Sequence, residues 1–180
     1  MSKVIIFPTD TVYGIGTPIF DTEGIDRIYE IKKRPRTKPL ACLCANLEQI
    51  NSIAFVDEKA KKLINKFLPG PLTLILNAKD DVKIKIGYKT IGVRIPNNKI
   101  ALDILNENGP MLTTSVNESG LVPLNEYEDI YRQYNDLVDK IYDTNTTSSN
   151  ISSTVVLIDG DDLKVLREGE ISIDEILACK

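Results

Sequence analysis

Apolar positions recur along this chain at two spacings, and the alternation between them predicts the elements. Val4–Phe7 and Val12–Ile15 are short, continuous apolar runs flanking the turn-forming Pro8-Thr9-Asp10, and read as buried strands. Asp21 or Thr22 then caps a helix in which Ile25, Ile28 and Tyr29 share a face as far as about Lys32. Leu40–Ala45 reads as a strand, and Asp57 caps a helix carrying Ala60, Leu63, Ile64 and Phe67 at i, i+3, i+4 and i+7, which Pro69-Gly70-Pro71 stops. Leu72–Leu76 and Ile91–Ile95 are strands. Asn97 or Asn98 caps the next helix, with Ile100, Ala101, Ile104 and Leu105 on its apolar face and Gly109-Pro110 at its end. Met111–Val116 is a strand, Asn125 caps a helix through Tyr134, and Val138–Tyr142 holds a short strand. Val155–Ile158 and Lys164–Arg167 flank Gly160-Asp161-Asp162 as a hairpin, and Ile173–Leu177 forms a last helical turn or two. The Ser/Thr/Asn-rich stretch 144–154 is too polar to pack and reads as a loop. Hairpins mixed with helical crossovers predict an α/β fold, one twisted mixed sheet flanked by helices.

Composition narrows the chemistry. With 180 residues, 42% of them apolar and 27% charged, the chain has the profile of one soluble domain spanning residues 1–180, with a core that needs no staple. It contains no histidine, which excludes a Ser-His-Asp or Cys-His pair, a His-ligated metal site and the usual general base poised near neutrality. Cys42 and Cys44, spaced C-x-C on one strand, and the distant Cys179 read as reduced thiols, with no metal site among them. No run approaches the length of a membrane span and Met1–Thr11 lacks a signal-peptide pattern, so a cytoplasmic location is expected and the sequons at Asn117, Asn145 and Asn150 carry no meaning as glycosylation sites.

The net charge of −4 conceals an uneven distribution: +2 over residues 1–40, +2 over 41–120 and −8 over 121–180. Against this, Lys32, Lys33, Arg34, Arg36 and Lys38 crowd together at the end of the first predicted helix, where Pro35 and Pro39 make the segment a stiff loop. Such a cluster at a helix–strand junction suits an anion. Neither G-x-G-x-x-G nor a P-loop is present, and Gly14-Ile15-Gly16 is a lone G-x-G. Hydroxyl and carboxyl groups instead gather at strand ends, in Thr9-Asp10-Thr11, in Thr113-Thr114-Ser115-Val116-Asn117 and in Ser152-Ser153-Thr154. Arg94, with Thr90 four residues earlier on the same strand face, sits between Val93 and Ile95; an arginine there serves either in an ion pair or as a bidentate carboxylate ligand.

In their order, these segments resemble the YrdC/Sua5 family. The resemblance rests on Thr9-Asp10-Thr11-Val12-Tyr13-Gly14, Lys32-Lys33-Arg34-Pro35 with Lys38-Pro39-Leu40, Pro69-Gly70-Pro71-Leu72-Thr73, Val93-Arg94-Ile95-Pro96, Thr114 to Gly120 and Ser153-Thr154-Val155-Val156, and it runs from about Phe7 to Gly169. It implies a single YrdC-like domain of the short bacterial form, built around an electropositive cavity. The implied activity joins L-threonine, bicarbonate and ATP into threonylcarbamoyl-AMP with release of pyrophosphate, the first step toward the threonylcarbamoyladenosine (t6A37) of tRNA. Residue by residue, it implies that Lys32, Arg34 and Lys38 hold the ATP phosphates, Lys32 and Arg34 acting in catalysis, and that Thr90, Ser115, Asn117 and Arg167 contact the nucleotide. Thr11, Arg94, Thr113 and Ser153 fall on the threonine side, Arg94 facing the amino-acid carboxylate. Mg2+ is expected to arrive with ATP, without a dedicated protein site, and the expected partners are downstream t6A transferase proteins and tRNA or other RNA. Two further readings stay open at this point: an RNA-binding module, against which the acidic last third weighs, and a paralogue of the same fold with another carbamoyl-adenylate role.

Overall fold

The computed structural model describes residues 2–144, 148–160 and 162–179. Asp161, in the predicted hairpin turn, and 145–147, with the Asn145 sequon in the predicted polar loop, lie outside the described residues. The elements run β1 (Ile5–Phe7), β2 (Gly14–Pro18), α1 (Thr22–Ile31), β3 (Ala41–Leu43), α2 (Leu47–Ile53), α3 (Glu58–Phe67), β4 (Leu72–Asn77), α4 (Asp80–Ile86), β5 (Thr90–Arg94), α5 (Lys99–Asn108), β6 (Met111–Ser115), α6 (Tyr127–Tyr134), β7 (Lys140–Ile141), β8 (Thr154–Asp159), β9 (Asp162–Arg167) and α7 (Ile173–Leu177).

The strands form one mixed sheet in the order β7-β1-β2-β6-β3-β5-β4-β8-β9. Hairpins β1–β2 and β8–β9 are antiparallel, as are β2–β6, β3–β6 and β4–β5, whereas β1–β7, β3–β5 and β4–β8 are parallel. Parallel neighbours require helical crossovers, and these cover the sheet. Asp21, Asp57 and Asn98 cap α1, α3 and α5 by accepting from the backbone N–H of Gly24, Ala60 and Ala101. Asn125 does not cap α6: its Oδ1 accepts from the Tyr13 backbone N–H at 3.0 Å, and α6 begins after Glu126 without a side-chain cap. Two short helices, α2 and α4, form where no helix was expected. Cys42 and Cys44 are buried free thiols, and no helix among the described residues is long and apolar enough to cross a membrane.

The two faces of the sheet are covered unequally, and this positions the site. Alternation along the strands sends Ile6, Ile15, Cys42, Leu72, Leu74 and Val93 into the main core, which also takes α1, α2, α3, α6 and α7. The opposite face receives Ile5, Phe7, Leu43 and Met111, packed under Ala101, Ile104 and Leu105 of α5. α5 covers only that part, and beyond it β4, β5, β6 and β8 present mainly small and polar residues, with Ile75 and Val155 among them. Close strand approach at this point needs glycine: a Cβ at Gly16 would lie 2.7 Å from Thr113 Oγ1 and one at Gly14 would lie 2.6 Å from Thr113 Cγ2. The lone G-x-G is thus a packing feature.

At the far edge, Thr154 Oγ1 accepts from the backbone N–H of Gly169 (2.9 Å) and Ile171 (3.2 Å) and donates to Ile171 O (2.6 Å). This fastens the segment following β9 against the start of β8. A Cβ on Gly169 would lie 2.1 Å from Ser152 O and 2.7 Å from the Thr154 backbone N, so the backbones would have to separate. Gly169→Ala is therefore expected to cost about 2–4 kcal/mol, read as a lowered urea midpoint with an unchanged slope.

Candidate active site

Alternate residues of five strands, β3 to β6 and β8 with its lead-in, point into a cavity of about 350 Å³ on the face that α5 leaves open, lined among others by Ala41 and Leu43, Thr73 and Ile75, Gly92 and Arg94, Thr113 and Ser115, and Ser153 and Val155. Thr9, Thr11, Tyr13, Arg34, Thr90 and Arg167 complete the polar wall. Among the described residues, the lining holds three guanidinium groups and no carboxylate. Buried hydroxyls are costly on a sheet face unless they are hydrogen-bonded, and here they bond to one another: Thr73 Oγ1 and Ser153 Oγ lie 2.8 Å apart.

Arg94 is the most constrained of the three cations. It is 6% exposed and donates from Nε to Gly70 O at 3.0 Å, from Nη1 to Thr11 Oγ1 at 2.8 Å, and from Nη2 to the Asp10 carboxylate. Thr9 Oγ1 donates to Val12 O at 2.7 Å and lies 3.1 Å from Thr11 Oγ1, so Thr11 accepts from Arg94 and donates to Thr9. One N–H on each terminal nitrogen of Arg94 is left over. Burial lowers its pKa and Asp10 raises it, yet an arginine this close to a carboxylate stays charged. Arg34 and Arg167 are each held by one edge. Arg34 donates from Nε to Lys38 O (3.0 Å) and from Nη2 to Pro39 O (2.9 Å); Arg167 donates from Nε (3.0 Å) and Nη2 (2.8 Å) to Ser153 O. Their remaining terminal nitrogens have no hydrogen-bond partner among the described residues. Tyr13 packs its ring into the main core, and burial together with Asp143 pushes its phenol up to about 12, so it is neutral.

The structure brings Thr11, Arg34, Thr90, Arg94, Thr113, Ser115, Ser153 and Arg167 to this one cavity. Lys32, Lys38 and Asn117 are placed otherwise. Lys38 is exposed in the loop after α1, and it is its carbonyl that works, accepting from Tyr29 Oη and Arg34 Nε at 3.0 Å each. Lys32 is 1% exposed and donates into the loop that leaves β6, to Ser115 O, to Asn117 O at 2.6 Å and to Asn117 Oδ1 at 2.9 Å. Asn117 is spent within that loop as well, its Nδ2 donating to Leu121 O at 2.7 Å. The basic run therefore divides: Arg34 lines the cavity, Lys32 is internal, and Lys33 pairs with Glu118 on the surface. Thr73 and Asp10 were not singled out from the sequence. A threonine inside the apolar run Leu72–Leu76 was the available signal for the first, and the partner of Asp10 lies too far away in sequence to be visible.

These features define a class, an α/β protein with a pocket lined by guanidinium and hydroxyl groups sunk into one face of a mixed sheet. The chain belongs to the Sua5/YciO/YrdC family, whose model, described as telomere recombination, matches residues 1–169. It is 34% identical to a putative threonylcarbamoyl-AMP synthase of Methanocaldococcus jannaschii, over 98% of this chain and 84% of that protein. It is also 34% identical to the threonylcarbamoyl-AMP synthase of Bacillus subtilis, over 98% of this chain and 53% of the relative. Among solved structures, Pyrococcus abyssi Sua5 complexed with L-threonine superposes with a TM-score of 0.91 at 32% identity, over 98% of this chain and 53% of that one. The chain thus spans about half the length of the last two.

Burial, reinforced by the nearby Arg34 charge, lowers Lys32 from 10.5 to about 8. Its lysine is therefore still protonated at neutral pH but holds its proton less tightly than in the unfolded chain.

Proposed function

We propose that this protein is a nucleotidyltransferase that joins L-threonine, bicarbonate and ATP into L-threonylcarbamoyl-AMP, releasing pyrophosphate and water, as the first step of t6A formation in tRNA. The observation that carries the reading is the cavity lining, with three anchored guanidiniums, a set of small hydroxyls and, among the described residues, no carboxylate in one space. Supporting it are the family membership, the threonylcarbamoyl-AMP synthases among the relatives and the L-threonine complex of the Pyrococcus abyssi relative.

In the proposed reaction the threonine nitrogen attacks the carbon of bicarbonate, or of CO2 derived from it, and water is lost. An oxygen of the resulting carbamate attacks the α-phosphorus, and the bond from that phosphorus to the bridging oxygen of the β-phosphate breaks. Nucleophile and leaving group both come from substrates, so a chain without histidine can run the reaction by placement and charge. The two N–H groups left on Arg94 suit the threonine carboxylate, and Thr11, Thr113 and Ser153 suit its hydroxyl and amine. Arg34 and Arg167, each with one edge locked to backbone oxygens, offer the other edge to the phosphates; Thr90 and Ser115 lie along the same wall. Magnesium enters as part of the MgATP substrate, carried on its phosphates. The adenylate then passes to a t6A transferase in the cytoplasm.

The test is pyrophosphate release with MgATP, L-threonine and bicarbonate. Release should depend on both threonine and bicarbonate, and Arg34→Ala should lower kcat/KM by about 100-fold or more. Full activity in that variant, or release that continues without threonine, would count against the reading.

A further inference from the structure

The Lys32 ammonium stands at the centre of a loop rather than in the cavity. Lys32 is the C-cap of α1; after it Lys33 takes a left-handed φ of 49° and Arg34 N–H donates back to Tyr29 O at 2.9 Å. This turn sends the basic loop outward while the Lys32 side chain runs inward. Its ammonium has three N–H bonds, and three oxygens receive them: Ser115 O, Asn117 O and Asn117 Oδ1. The bonding is returned by the backbone, as Ser119 N–H donates to Lys32 O at 3.0 Å.

Around that point the segment leaving β6 has no regular structure of its own. Its order comes from Val116 N–H donating to Tyr13 O (3.2 Å), Ser115 Oγ donating to Asn117 Oδ1 (2.6 Å) and Asn117 Nδ2 donating to Leu121 O (2.7 Å). Three oxygen dipoles aimed at one buried point repel one another unless a cation occupies it. To reach a phosphate in the cavity, Lys32 would have to abandon all three acceptors; Asn117 Oδ1 would keep only the Ser115 hydroxyl, and the Ser115 and Asn117 carbonyls would lose the ammonium that now donates to them, the costly half of breaking a hydrogen bond.

We propose that Lys32 is a positioning residue, the internal cation around which the Ser115–Asn117 loop is built, and that it serves the reaction through Ser115 at the cavity wall instead of touching the ATP phosphates. The kinetic part of this rests on the function proposed above; the structural part does not. It gives distinct jobs to two residues of one basic run, since Arg34 lines the cavity and Lys32 shapes the loop that carries Ser115 into its wall.

Competitive reductive methylation of the wild-type protein, read lysine by lysine by mass spectrometry, needs no variant. Lys32 should stay unmodified while Lys33, with a side chain 73% exposed, reacts readily, and saturating MgATP should not change the Lys32 result. A Lys32 that reacts like Lys33 in the free protein and becomes protected by MgATP would overturn the proposal. In Lys32→Met, hydrogen exchange at the amides of Val116, Ser119 and Leu121 in the ligand-free protein should quicken by about tenfold or more, with the β3 and β5 amides unchanged. In the same variant kcat should fall while KM for threonine stays within about twofold. Unaltered loop exchange together with a loss of MgATP affinity equal to the loss in kcat/KM would make Lys32 a phosphate ligand. If the wild type shows no threonine-dependent turnover, the proposed function fails, and labelling and exchange still decide whether Lys32 builds the loop.

Discussion

A permanently charged guanidinium sits almost fully buried in the middle of this sheet, and the arrangement of the site depends on how it is satisfied. Arg94 cannot shed its charge to suit its surroundings, so oxygens must be brought to it. They come from two distant parts of the chain: Gly70 O from the turn before β4, and Thr11 Oγ1 and the Asp10 carboxylate from the turn between β1 and β2. One buried cation thereby sets two loops against β5, and its unused N–H groups face the space the loops enclose. Removing it would leave the Asp10 carboxylate, itself largely buried, without its ion-pair partner.

The same economy recurs across the site. Arg34 folds its own loop by donating to Lys38 O and Pro39 O, Arg167 ties β9 to the Ser153 carbonyl, and Lys32 gathers the loop after β6. Each cation is fixed by neutral oxygens of the backbone or of side chains and, for Arg94, by one carboxylate as well, so positive charge is held in place before any ligand arrives. A reaction that develops negative charge on phosphate and needs little proton transfer is served by this kind of preorganisation. The absence of histidine, a restriction when met in the composition, is consistent with a site in which position and fixed charge supply the catalysis.

Much of the sheet was legible because its strands obey simple rules. The strong apolar runs at β1, β4, β5, β6 and β8 appear in the structure where periodicity places them, and Asp57 and the Asn97/Asn98 pair marked helix starts correctly. α2 and α4 were illegible for a physical reason: each has seven residues, and they bury only Ile50 and Ile53 in one and Val82 in the other, too little to write a stripe. Asn125 carried the right residue type for a cap, but a side-chain amide serves equally well as a long-range acceptor, and tertiary contact with Tyr13 won. In the site, the arginines and hydroxyls were found as types at strand ends. What spacing could not show was which member of the basic run turns inward, since that follows from the left-handed turn at Lys33 and from three oxygens supplied by residues more than eighty positions away.

The central claim is that Arg94, already committed to Asp10 and Thr11, keeps its remaining N–H groups for the carboxylate of the amino-acid substrate. Calorimetric titration of the wild-type protein with L-threonine and with L-threoninol, which keeps the amine and hydroxyl but lacks the carboxylate, tests it most directly. The account predicts that threonine binds and that threoninol binds on the order of 100-fold more weakly, the loss of two charge-assisted hydrogen bonds. Equal affinity for the two would contradict it.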